Sequence, residues 1–323
     1  MIPTGSMILV GMNLRDLKMD KHVHKTSAFG SDNSRILIIG LGEIGYSNAE
    51  YMTKIGLSVD GYDISDAAIK RALKAGIIKN AAVDFKDYDY YLFCISTHRP
   101  DNMAEPFLDG LYEITYKILR ESKKGSFLGI DSTIPRGTTQ KIYEILNHKL
   151  HVAHVPHRYY KPERDTHGVN QKRVVGACKE CCYKEATNFY GKILGIPLYY
   201  VKSADVAEMT KIAENTYRYV QIAYAEELKL ICENNNLNFE ELRNAINTKW
   251  NIQILQAMEG IGGHCLPKDS QMLLDLSKKS IGSSIIEAAK KIDVEYRTSI
   301  NQRTSQKSQK PTEFEITTTN IVI

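Results

Sequence analysis

No segment of the chain approaches the roughly 18 consecutive apolar residues that would suggest a membrane span. No basic block of the kind carried by nucleic-acid binders is present either. The 42 Lys and Arg against 38 Asp and Glu leave a formal charge of only +4 over 323 residues, a mild excess that suits anionic ligands without selecting one. The first 25 residues lack a charged start, a long apolar core and a small-residue cleavage site, so they read as an extension rather than a signal peptide. The six cysteines fall at irregular positions, which excludes a disulfide framework and points to reduced thiols. Internal repeats are absent as well. Together these absences predict a cytoplasmic protein that engages neither membrane nor nucleic acid.

What is present is the balance of a globular protein, 43% hydrophobic and 25% charged residues, in a chain long enough for two domains. Short apolar runs alternate with amphipathic stretches from RILIIG, at 35–40, to IPLYYVK, which ends at 202. That alternation predicts an α/β, doubly wound Rossmann-type domain over 35–202, with a parallel sheet and helices on both faces. From Ala204 to Asn234 there is no Pro or Gly, and Val206, Met209, Ala213, Val220, Ala223 and Ile231 recur at helical spacing. NFEELRNAIN predicts another helix, the Gly-rich segment EGIGGHCLPKD a loop, and the stretch from about Ser270 a final helix. Residues 203–297 are therefore expected to be all-helical. Residues 1–34 read as an N-terminal extension, and 298–323, rich in Ser, Thr, Gln and Lys, as a disordered tail.

Four segments carry chemistry. Gly40-Leu41-Gly42-Glu43-Ile44-Gly45 lies between a predicted strand and a predicted helix, where glycines permit a tight turn, approach of a pyrophosphate and close packing. Asp63 ends the second strand about 20 residues on, placed to bond ribose hydroxyls and repel a 2′-phosphate, which favours NAD over NADP. Ser132-Thr133-Ile134-Pro135-Arg136-Gly137-Thr138-Thr139 follows a strand. It is either a hydroxyl-rich turn facing the ligand crevice or a plain connection with Thr138 or Thr139 as an N-cap. Lys211 and Asn215, four apart, share a helix face; they would stabilise negative charge on an alcohol oxygen or simply face solvent. Cys265, between His264 and the pair Lys268 and Asp269, has cationic neighbours expected to lower its pKa, and Asp269 could act on a water. Among the other cysteines, Cys94 and Cys232 read as packing. Cys178, Cys181 and Cys182 resemble a metal clip, but four ligands are needed and no second pair lies at a suitable spacing, so metal binding is rejected.

These motifs in this order (ILIIGLGEIG, GYDIS, DSTIPRGTT, KPERDTHG, the helix beginning ADVAEMTKIAENTY, and GIGGHCLPKD) resemble the UDP-glucose/GDP-mannose dehydrogenase family from about residue 35 to 295. The resemblance implies oxidation of a nucleotide sugar's C6 alcohol to a carboxylate with two NAD, and a homodimer through the helical domain. It implies cofactor contacts from Gly40, Gly42, Glu43, Ile44, Gly45, Asp63, Ser96, Thr97 and Thr133. For catalysis it implies alkoxide stabilisation by Lys211 and Asn215, a Cys265 thiohemiacetal and thioester, a water held by Thr133 and Asp269, and Glu163 as acid/base. His157 is an alternative for that last place. Pro162-Glu163-Arg164 and GGHC look like the branch acting on UDP-N-acetylmannosamine, whereas LPKD is closer to the UDP-glucose and GDP-mannose branches. Family members carry a further Rossmann-like domain after the central helix, and TSQKSQKPTEFEITTTNIVI shows none. Two other readings stay open: a non-catalytic or weakly active descendant that dimerises and binds nucleotide, and a β-hydroxyacid dehydrogenase, which needs no cysteine.

Overall fold

A computed structural model of the chain describes residues 34–99, 101–102, 105–159, 163–278 and 284–308. The proposed extension, Ser34 apart, lies outside them. Seven strands form one sheet in the order β2-β1-β3-β4-β5-β6-β7. β1 (Ile36–Ile39), β3 (Tyr90–Phe93) and β4 (Phe127–Ile130) are buried at every position. Their unbroken apolar runs are what a strand covered on both faces needs. β2 (Val59–Tyr62) and β5 (His151–His154) continue the parallel set. Between the strands run α1 (Glu43–Lys54), α2 (Asp66–Lys74), α3 (Asp109–Glu121) and α4 (Thr138–Ile145). Strand order reverses at β1, flanked by β2 and β3, which opens a crevice at the carboxyl ends of these strands.

The doubly wound α/β expectation holds, with one correction. β6 (Arg173–Ala177) runs antiparallel to β5, while β7 (Leu198–Tyr200) runs parallel to β6. A four- or five-residue apolar run carries no mark of its direction. Between β6 and β7 come α5 (Glu180–Ala186) and a π-helical continuation, Thr187–Ile193.

A buried polar network ties the layers together. Asp131, just past β4, accepts hydrogen bonds from Arg173 Nη1 (2.8 Å), Asn48 Nδ2 (2.8 Å) and Tyr190 OH (2.5 Å). Asn48 Oδ1 lies 3.1 Å from His157 Nε2, and Tyr159 N–H donates to His157 Nδ1. Burial, with Arg173 and Lys211 nearby, pushes the His157 pKa well down and keeps the ring neutral. The ion pair is almost entirely out of water, where loss of either partner strands the other charge at a cost of about 3–5 kcal/mol.

The helical part begins with α6 (Ala204–Asn234), unbroken as expected and capped by Ser203, whose hydroxyl accepts from Val206 N–H. α7 (Phe239–Ile246) has the same device in Asn238. α6 packs on β5 and β6 near its start and on α8 (Cys265–Ser277) and α9 (Ile285–Ser308) further along. Three expectations are corrected here. Val206 and Ile231, taken for the apolar face of α6, are largely exposed, whereas Glu208 and Glu226 are buried on it. The helix expected from Ser270 starts at Cys265, because Pro267 is tolerated in a first turn, where its missing N–H costs nothing. A separate helix, α9, then runs to Ser308, past the boundary expected at 298 and held by Arg303 on Glu233 (2.6 and 2.5 Å). No helix among the described residues is long and apolar enough to cross a membrane.

Candidate active site

The glycine loop is built for close approach. Gly40 sits at φ +94°, and a Cβ there would lie 2.5 Å from the Cys94 carbonyl oxygen. A Cβ on Gly45 would overlap the Gly40 carbonyl, so α1 can pack this tightly only on glycine. Beside Gly42 there is open space, and the N-terminus of α1 has no side-chain cap. That combination fits a pyrophosphate received by free backbone N–H groups. Asp63 accepts from Leu41 N–H (2.6 Å) and Ser65 N–H (2.8 Å), fixing the loop while each oxygen keeps a lone pair for a hydroxyl. Arg71 braces the same turn through the Leu41 carbonyl (2.8 Å). Glu43 and Ile44 follow in the first turn of α1.

Two loops close the crevice. Thr97 donates to the Thr133 carbonyl (2.7 Å) and Ser132 to the Ile95 carbonyl (2.7 Å), so the segments after β3 and β4 are fixed to each other. The two readings of the hydroxyl-rich segment divide along its length. Ser132 and Thr133 lie just past the carboxyl end of β4 and are held to the segment after β3. Thr139 belongs to a cap, though not its own: Glu208 of α6 accepts from Gly137 N–H, Thr139 N–H and Thr139 Oγ1 at 2.5–2.7 Å. A buried carboxylate thus satisfies the start of α4 from 69 residues away. Burial raises its pKa, against the three hydrogen bonds that favour the ionised form.

The candidate reactive groups come from α6 and α8. Asn215 donates to Asp269 Oδ2 (2.5 Å), Lys268 donates to Asp269 Oδ1 (2.6 Å), and Lys211 Nζ lies 3.5 Å from Asn215 Oδ1. Lys268 and Asp269 are buried. Cys265 is the first residue of α8, where the helix dipole favours a thiolate. The expectation that cations would lower its pKa is nonetheless overturned. Desolvation by the surrounding protein and the charge of Asp269 raise it, outweighing Lys268 and Lys211. Cys265 is nonetheless exposed, so this desolvation is partial. Burial lowers the Lys211 pKa, offset in part by Asp269, Glu214 and Cys265.

His98, after β3, and His264, before Cys265, bring the two regions together with ring centroids 4.7 Å apart. His98 is further tied to Ser96 (2.8 Å). Sequence reasoning missed His98 and the Asp131 network, because neither carries a local pattern. Glu163 is not brought to this cluster: it lies exposed with Oε2 3.2 Å from His167 Nε2. His157 is buried in the Asn48 network instead. Pro162 lies outside the described residues.

Fold and site define a class: a doubly wound sheet with a glycine loop after its first strand, joined to packed helices that carry a thiol, a lysine and an amide. Residues 205–295 match the UDP-glucose/GDP-mannose dehydrogenase family, central domain. The UDP-N-acetyl-D-mannosamine dehydrogenase of Pyrococcus horikoshii is 30% identical over 288 residues, covering 80% of this chain and 68% of that protein. The enzyme of the same name from Methanococcus maripaludis is 28% identical over 284 residues and covers 81% of this chain; the match spans 65% of that relative's length. The solved UDP-D-ManNAc dehydrogenase structure from P. horikoshii superposes with a TM-score of 0.73 at 28% identity, covering 87% of this chain and 74% of that one. The chain belongs to the UDP-glucose/GDP-mannose dehydrogenase family.

Proposed function

We propose that the chain is an NAD-dependent nucleotide-sugar 6-dehydrogenase that converts the C6 alcohol of a UDP-sugar to the uronic acid through Cys265. The observation that carries this reading is the Lys211–Asn215–Asp269 cluster near Cys265, joined to the segment after β3 by the His98–His264 contact. NAD would be held by Gly40, Gly42, Glu43, Ile44, Gly45, Asp63, Ser96, Thr97 and Thr133, and it would supply the hydride acceptor for each of two oxidations. Lys211 and Asn215 stabilise the alkoxide oxygen as the alcohol loses its proton. The Cys265 sulfur adds to the resulting aldehyde carbon, and oxidation of that thiohemiacetal leaves a thioester. Water held by Thr133 and Asp269 then breaks the C–S bond, giving the carboxylate and returning the thiol. Desolvation and the charge of Asp269 favour the thiol form of Cys265 over the thiolate. Its proton passes to the aldehyde oxygen as the C–S bond forms, which completes the thiohemiacetal. Glu163 enters this scheme as acid/base only if its segment moves towards the cluster when substrate binds.

The names of the relatives favour UDP-N-acetylmannosamine as the sugar nucleotide. A homodimer through the helical region is part of the same reading. Tyr217, Tyr224 and Trp250 stand together there with relative exposures of 66%, 50% and 92%, an aromatic face suited to a second copy of the chain. The reading also places the protein in the cytoplasm, beside its soluble cofactor. The test is NADH release with UDP-N-acetylmannosamine, UDP-N-acetylglucosamine, UDP-glucose and GDP-mannose. Two NADH per sugar with a UDP-sugar is the expected result. One NADH per substrate, or none with any of the four at high enzyme and NAD, contradicts it.

A further inference from the structure

The three cysteines set aside on spacing alone acquire a partner once the chain folds. His151 is the first residue of β5, and Cys181 and Cys182 lie in the first turn of α5. The antiparallel pairing of β6 with β5 sets Ala177 beside Ala153, which returns the chain to the start of β5 just where the cysteines begin. One ligand atom from each of His151, Cys181 and Cys182 falls within 4.8 Å of the other two, with Cys182 Sγ 4.0 Å from His151 Nδ1. Zinc takes sulfur at about 2.3 Å and imidazole nitrogen at about 2.0 Å in a tetrahedron. The ligand atoms of such a site lie roughly 3.5–3.8 Å apart, so only small side-chain rotations separate this cluster from zinc geometry.

We propose that His151, Cys181 and Cys182 form a binding site for a borderline-soft divalent cation, zinc in the first instance. Two thiolates and an imidazole are the donor set such a cation prefers to hard magnesium or calcium. Cys182 is buried, His151 is half-buried and Cys181 is exposed, so the cluster has a solvent side by which an ion enters. Water takes the fourth position in this arrangement, because Cys178, half-buried on the approach to α5 and within electrostatic reach of Cys182, stands outside the group and would have to turn inward to replace it. His151 marks the amino end of the parallel strands, whereas the glycine loop and Cys265 gather at their carboxyl ends. The site is therefore structural, a clip across the point where the sheet changes from parallel to antiparallel. It stands independently of the reaction proposed above.

The test uses the full chain, treated with chelator and kept reduced by a phosphine, then titrated with Co(II) and Zn(II). The expected result is one Co(II) per chain with tetrahedral d–d bands and a sulfur-to-metal charge-transfer band, bleached by one equivalent of Zn(II). Two thiolates in that band give water as the fourth ligand, and three give Cys178. Cys181→Ser, at an exposed position that should leave folding intact, is expected to weaken the band and lower affinity by about tenfold or more. His151→Gln should act likewise, while Cys265→Ser leaves the titration unchanged. Zn(II) should also raise the unfolding temperature of the unaltered chain and not that of Cys181→Ser. Absence of the charge-transfer band overturns the proposal. So does a band that survives in Cys181→Ser and His151→Gln but disappears in Cys265→Ser, or a native Cys181–Cys182 or Cys178–Cys181 disulfide found by mass spectrometry.

Discussion

Both the sheet region and the helical region bury carboxylates and match most of them, Asp269 among them, but among the described residues the helical region leaves one unmatched. Around the sheet, the buried charges are matched: Asp131 is surrounded by Arg173, Asn48 and Tyr190, and Glu208 caps α4. In the helical region, Glu226 is fully buried and neither carboxylate oxygen has a hydrogen-bond partner among the described residues. Burial, with the charge of Asp293, pushes its pKa up to about 7. The same region leaves Tyr217, Tyr224 and Trp250 in water. In the sheet region the buried carboxylates find their partners within one chain. The helical region has the marks of a surface that functions when covered, and the proposed second copy would supply that cover.

Three substitutions break or sharpen this contrast. The largest effect is expected from Arg173→Met, which strands Asp131 in the core and should cost about 3–5 kcal/mol in urea unfolding. A cost under about 1 kcal/mol would show that the network does not hold the layers together. Glu226→Gln is expected to act in the other direction. A carboxyl whose folded pKa is raised contributes its full stability below the unfolded pKa near 4.5. That contribution fades as pH rises towards about 7 and levels off above it. The amide should therefore stabilise the protein by roughly 1–3 kcal/mol at pH 8 and by little at pH 4. An equal effect at both pH values would contradict the assignment. Trp250→Ser, the smallest perturbation of the single chain, should leave the unfolding of a dilute sample within about 0.5 kcal/mol. It should weaken self-association about tenfold or more by analytical ultracentrifugation; unchanged association would remove this face from the interface.

The parts of the molecule that were legible in the sequence are those fixed by local chemistry. Gly40 and Gly45 are confined by the turn itself, and the length of α6 follows from its lack of Pro and Gly. Lys211 and Asn215 share a face because four residues make about one turn. What escaped depends on distant partners or on competing local terms. Glu208 caps a helix 69 residues away in sequence, and His151 reaches the cysteines only through an antiparallel strand whose direction the sequence does not encode. Cys265 looked like a loop residue because glycines precede it and a proline follows; the proline is instead accommodated in the first turn of α8. Its expected low pKa failed because counting adjacent cations omits the desolvation that accompanies them. The tail beyond 298 looked unstructured by composition, yet Arg303 on Glu233 secures another turn and more of α9.

The most direct test of the central claim is to count NADH and acid formed per UDP-sugar by the unaltered chain and by Cys265→Ser. The account predicts two NADH and one uronic acid for the former. For the latter it predicts no net acid, with NAD affinity within about twofold of the original, because the thiol acts in the covalent step. Full acid production by Cys265→Ser would contradict the assignment of Cys265 as the nucleophile.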